Sequence, residues 1–145
     1  MGYMKNLSSL FLLLLCSCYS PPSTLDLPSV TCKFTKYSLQ PADYLGQAVK
    51  QGSYLCPSGA TVTAFLSSSG LVAIRSDDPD VFTTYLDYSL SCKHLPEMLR
   101  SHAHLSESGY ASSYYCAERN SFLVLVSSSS LLLAEEFWHP AQAVR

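Results

Sequence analysis

Charge is what this sequence has least of. Of its 145 residues only 14% are charged, and nine basic against eleven acidic side chains leave a formal net charge of −2. A chain so sparsely charged carries no basic footprint, which argues against nucleic acid as a partner. It is equally far from a disordered composition, because 48% of its residues are hydrophobic and can build a core. The length suits one domain rather than two. Signatures of chemistry are missing as well. There is no Gly-x-Ser-x-Gly, no phosphate loop and no dinucleotide fingerprint. Serines abound, but nothing singles one out for a Ser/His/Asp triad. No Cys-x-x-Cys occurs, which removes the usual footing for zinc and for dithiol redox chemistry. Of the four histidines, His94, His102, His104 and His139, the His102-x-His104 pair lies on an expected helix with its rings turned apart. The i, i+4 spacing of a helical zinc pair is absent. Asp77-Asp-Pro-Asp80 lacks the further oxygen ligands of a calcium loop and reads as a polar turn. The expectation is a protein without catalytic residues, metal or cofactor.

Long apolar runs are also few. Leu10–Leu15 is too short to span a bilayer as a helix, and with Lys5 in front it reads as the h-region of an export signal over residues 1–17. Met4 is an alternative start. The run ends on Leu15-Cys16-Ser17-Cys18, which resembles the lipobox of bacterial lipoproteins: Leu at −3, a small residue at −1 and Cys at +1. Cys16 departs from the usual Ala, Ser or Thr at −2. The resemblance implies cleavage before Cys18, a diacylglycerol on its thiol, and an acylated new N-terminus. Each buried methylene contributes about 0.8 kcal/mol, so two or more chains hold a domain stably on a membrane. Tyr19 rather than Asp at +2 favours, by the same resemblance, outer-membrane over inner-membrane retention. Residues 18–28 are then expected as a tether. An ordinary secretory signal, cut after Cys18, is the alternative.

Cysteine is the abundance that organises the rest. Six cysteines suit an exported chain better than a cytosolic one. Four of them, Cys32, Cys56, Cys92 and Cys116, are spaced 24, 36 and 24 apart, which points to a duplication offset by 60 residues. Cys32-Lys33 then falls on Cys92-Lys93, and Ser53-Tyr54-x-Cys56 on Ser113-Tyr114-x-Cys116. Ser67–Ser69 falls on Ser127–Ser129. Pro41 and Pro96, both read as helix starts, break the register, since they lie 55 apart.

Each copy reads as β-α-β-β. The expected elements are a strand at 29–37 or 85–93, a helix after Pro41 or Pro96 ending near Gly52 or Gly109, a Tyr/Cys strand, and a hairpin turned by serines. The expected fold is therefore α+β: two repeated halves, 29–76 and 85–138, sharing one mainly antiparallel sheet with helices on one face. Residues 77–84 form the expected linker and 139–145 a tail. The repeat suggests disulfides Cys32–Cys56 and Cys92–Cys116, although four cysteines allow three connectivities.

Tyrosine is the other excess, with ten residues. Tyr110, Tyr114, Tyr115 and the single Trp138 are the candidate partner contacts, set against the plainer expectation that most of them pack on the sheet. The functional expectation is a small extracytoplasmic lipoprotein of a bacterial envelope, non-catalytic, held on the membrane by its lipid and binding another envelope protein. The alternative is a secreted, disulfide-stabilised effector or inhibitor that binds a host or competitor protein.

Overall fold

The computed structural model describes residues 21–38, 42–44, 46–95 and 110–138. The strands are β1 (Thr24–Asp26), β2 (Thr31–Tyr37), β3 (Ala42–Tyr44), β4 (Gln47–Leu55), β5 (Thr61–Ser67), β6 (Gly70–Ser76), β7 (Lys93–His94), β8 (Tyr110–Cys116), β9 (Ser121–Ser127) and β10 (Leu132–Phe137). A helix, α1 (Pro79–Ser89), lies between β6 and β7. The sheet runs β1-β2-β4-β5-β6-β10-β9-β8-β7, with β3 paired onto β4, and every pairing is antiparallel.

This order reflects the 60-residue offset. Counted inward from β2 and from β7, the strands follow the same sequence and meet at β6 and β10. In that central ladder Arg75 faces Glu135, its own counterpart 60 residues on, while Ser76 faces Ala134 and Ile74 faces Glu136. Equivalent positions thus exchange partners across a local two-fold axis running between Arg75 and Glu135. Disulfides join Cys32 to Cys56 and Cys92 to Cys116, each with a separation of 24. They fit an extracytoplasmic, oxidising location.

Both faces of the central strands are covered. On one side Tyr54, Val62, Ala64, Ile74, Leu123 and Leu125 pack with Val81, Phe82 and Tyr85 of α1 and with Leu25 and Leu27. On the other, Phe65, Ala73, Phe122, Val124, Val126 and Phe137 pack with Tyr44 and Val49. Burial on both faces explains why Phe122–Val126 is an unbroken apolar run rather than an alternating one. The hairpins form where the serine turns place them. Ser67 Oγ accepts from the Ser69 amide, and Ser128 Oγ accepts from the Leu131 amide.

The expected α+β arrangement of two β-α-β-β halves does not form. The segment expected as the first helix is a hairpin, β3–β4. Its two-residue loop uses Gly46 at φ +83°, with the Gly46 amide donating to Asp43 Oδ1. Asp43 therefore closes a turn. Gly52, expected as a helix stop, sits buried in mid-strand. A Cβ there would lie 3.4 Å from Phe34 Cε1 and 3.5 Å from Tyr54 Cε1, in close contact with the rings that pack over β4. The second expected helix, after Pro96, lies outside the described residues.

The linker and the strand expected over 85–93 are also overturned, because α1 occupies this region. Asp78 caps it, accepting from the Asp80 amide through Oδ1, Pro79 stands in the first turn, and Asp80 adds the favourable first-turn charge. The expected tether is overturned from Pro22 onward. The Pro22 carbonyl accepts from Tyr54 Oη at 2.7 Å, the Ser23 carbonyl accepts from the Phe34 amide, and Leu25 and Leu27 are buried.

Closing the 24-residue loop of Cys32–Cys56 contributes about 3 kcal/mol in the chain-entropy picture. The double variant Cys32→Ala/Cys56→Ala is expected to lose an amount of that order in urea denaturation at neutral pH.

Candidate functional site

Two consecutive glutamates of β10 occupy the middle of the sheet. Adjacent strand residues point to opposite faces, so Glu135 enters one core and Glu136 the other. Both side chains are fully buried. A carboxylate stripped of water survives only if donors replace the water. Glu135 Oε1 receives Arg75 Nε at 2.8 Å and Arg75 Nη2 at 2.7 Å, and Oε2 receives Tyr44 Oη at 2.5 Å. The Arg75 guanidinium also lies over the Phe65 ring, 5.1 Å from its centroid.

Glu136 is held more completely. Arg119 grips it with Nε to Oε2 at 2.7 Å and Nη2 to Oε1 at 3.0 Å, Tyr85 Oη donates to Oε1 at 2.7 Å, and Ser121 Oγ donates to Oε2 at 2.5 Å. Arg119 Nη2 reaches the Asp26 carbonyl as well, and the Arg119 carbonyl accepts from Trp138 Nε1. One guanidinium thus ties β1, β10 and the turn before β9 together, while Tyr85 brings in α1. Burial would lower the Arg119 guanidinium, and the hydrogen bonds and charge of Glu136 more than offset it, so its pKa rises. Burial, reinforced by the neighbouring carboxylates, pushes the phenols of Tyr44 and Tyr85 well above the usual range. Burial also raises Tyr54, to about 12. Donors saturate these carboxylates, and Ser121 faces a carboxylate rather than an imidazole. The network is built for cohesion.

The residues expected as partner contacts do not make one surface. Tyr114 and Tyr115 are consecutive in β8 and point to opposite faces. Tyr114 lies against the exposed His94, with ring centroids 5.5 Å apart, on the α1 side. Tyr115 packs on Phe122 at 5.1 Å and donates to Asn120 Oδ1. Tyr110 opens β8 opposite Ser127. Trp138 is half-buried, with its indole N–H spent on Arg119. Cys18 lies outside the described residues, as do His102, His104 and His139. Among the described residues, no group of three His, Cys, Asp or Glu side chains is placed to hold a metal.

The exposed apolar surface lies elsewhere. Phe82, Leu86 and Leu90 recur every four residues along α1 and just past its end. Leu86 is 45% exposed and Leu90 86% exposed. Beside them runs a groove of about 230 Å³ lined by Phe82, Leu86, Ser112, Tyr114, Leu125 and Ser127. The signal for it was present in Asp78-Pro79-Asp80, a cap, a first-turn proline and an acid, followed by apolar residues at helical spacing. No protein-family model, curated protein or solved structure matches this chain.

Two predictions follow from the buried network. Glu136→Ala leaves the Arg119 charge half-buried and unpaired, and is expected to cost about 3–5 kcal/mol in chemical denaturation at pH 7. Stability should also fall as pH rises above about 10. Unfolded tyrosines release their protons there, while Tyr44, Tyr54 and Tyr85 keep theirs as long as the fold holds. Below that pH their contribution is complete. Each contributes a slope of about 1.4 kcal/mol per pH unit above it. Tyr54→Phe should make the alkaline limb of the denaturation profile shallower by one such increment.

Proposed function

We propose that this protein is a small, non-catalytic binding component of a bacterial cell envelope, acylated at Cys18 and held by that lipid on the outer membrane. The observation that carries the binding role is the exposed Leu86 and the groove it lines with Phe82 and Tyr114, with Leu90 exposed four residues further on. Isolated exposed leucines are ordinary, but an exposed leucine that lines an apolar groove offers a contact surface of the kind that partner proteins cover. A helix face beside a sheet groove suits another folded envelope protein. The disulfides support the extracytoplasmic setting. The Leu15-Cys16-Ser17-Cys18 motif supports the anchor.

Intact mass of the native protein, with Cys18→Ser alongside, tests the anchor. The expected mass starts at Cys18 and carries acyl chains, and the variant loses them. A bare polypeptide beginning after Cys18 would instead favour a secreted effector or inhibitor. A photo-crosslinking residue at position 90 should then capture an envelope protein in whole cells. Leu86→Asp combined with that probe should abolish the crosslink while changing stability by less than about 0.5 kcal/mol, as befits an exposed position.

A further inference from the structure

The fold begins close behind the lipobox. Pro22 is already fixed, because its carbonyl accepts from Tyr54 Oη and the next carbonyl, that of Ser23, accepts from the Phe34 amide. Only four residue steps separate Cys18 from Pro22, so the chain between them spans at most about 14 Å. A lipid on Cys18 cannot reach a bilayer without bringing the Pro22 corner of the sheet to it. What lies at that corner is therefore what meets the membrane.

Two features gather there. Behind Pro22, Phe34 packs edge-on against both Tyr37 and Tyr54, with centroids 5.7 Å and 5.5 Å apart, and Phe34 and Tyr37 remain half-buried. Lys33 and Lys36 of β2 are exposed. Lys33 stands opposite Thr24 on one side and opposite Leu55, itself 46% exposed, on the other. Lys36 follows a bulge in β2, where the Thr35 hydroxyl bonds the Ser53 carbonyl. The nearby acid, Asp26, sits at the far end of β1 from Pro22 and accepts from the Thr31 hydroxyl. At this edge β2 carries Lys33 and Lys36 on one face and Phe34 and Tyr37 on the other, and exposed cations of this kind suit the headgroup zone of an anionic bilayer.

We propose that the β1–β2 edge, through Lys33 and Lys36, is a membrane-docking surface that seats on anionic lipid headgroups. This rests on the lipid-anchor reading of Cys18. The lipid supplies the affinity, and the two lysines fix which face of the domain lies down. That orientation turns a tethered body into a fixed one, and it leaves the Leu86–Leu90 stripe in a constant attitude for its partner.

The test uses the native acylated protein, verified by intact mass, on vesicles of phosphatidylcholine with and without phosphatidylglycerol. Lysines are labelled with an amine-reactive reagent and quantified by peptide mass. On anionic vesicles Lys33 and Lys36 should react about fivefold more slowly than in detergent, the scale expected for one lysine at an anionic surface. Lys93, exposed on β7 at the opposite edge of the sheet, should not change. Raising salt to about 1 M should erase the protection. An acylated protein whose Lys33 and Lys36 react at the detergent rate, or whose protection is indifferent to salt, overturns the docking surface and leaves the anchor standing. A mass without acyl chains overturns the anchor itself, and the docking surface with it.

Discussion

The structure turns on the burial of two neighbouring carboxylates in its last strand. Glu135 and Glu136 sit where a doubly covered sheet would ordinarily carry valine or leucine, and each must recover in protein donors what it loses in water. Meeting that demand recruits Arg75 and Tyr44 on one face and Arg119, Tyr85 and Ser121 on the other. Such pairs are weak sources of net stability, because desolvation consumes most of the Coulombic gain. Their effect here is on arrangement. Tyr85 reaches Glu136 only if α1 lies across that face, and Arg119 reaches Asp26 only if β1 folds back toward the same point. An apolar residue at position 136 would set no such condition, and apolar packing of Val81, Phe82 and Tyr85 alone would place the helix.

The joining of two halves answers a second constraint. A unit of this size has little interior, and its last strand leaves an unpaired edge that invites association. Pairing β6 with β10 removes both edges at once and places the most apolar strands in the middle, covered on each side. Among the described residues, what remains outermost is short: three residues in β1 and two in β7. Short edge strands are poor templates for further addition, so the doubled sheet ends where it should.

Much of this was legible, and the unread parts have physical causes. Cysteine spacing and serine turns are local signals, and they located both hairpins and the disulfide partners. The structure departs from expectation at β3–β4 and at α1, because two cues are ambiguous alone. Leu45, Ala48 and Val49 match a helical stripe, yet Gly46 at φ +83° closes a hairpin that pairs Tyr44 with Gln47, which the stripe alone does not record. In the opposite sense, the Val, Thr, Tyr and Phe content of 81–88 favours a strand by propensity. The Asp78-Pro79-Asp80 start and tertiary packing outweigh it. Tyr114 and Tyr115 point to opposite faces because neighbours in sequence are opposites in a strand. The buried glutamates gave no warning, since a charge pair in a sequence reads as surface until its partners are known.

The position of Arg75 against Glu135 explains why a duplicated chain, rather than a pair of identical chains, suits this sheet. On a two-fold axis each residue faces its own equivalent. Were the halves identical, that place would set arginine against arginine or glutamate against glutamate. Within one chain the two copies are free to differ, and here they differ in sign, giving a 2.7 Å ion pair where symmetry would impose repulsion. The same freedom extends outward. The first half has β1, the Pro22 corner and the lysines of β2, whereas the groove beneath Leu86 and Tyr114 belongs to the second half and the helix that joins them. The repeated strand order thus gives the sheet a closed, cohesive centre, and the two ends carry different surfaces.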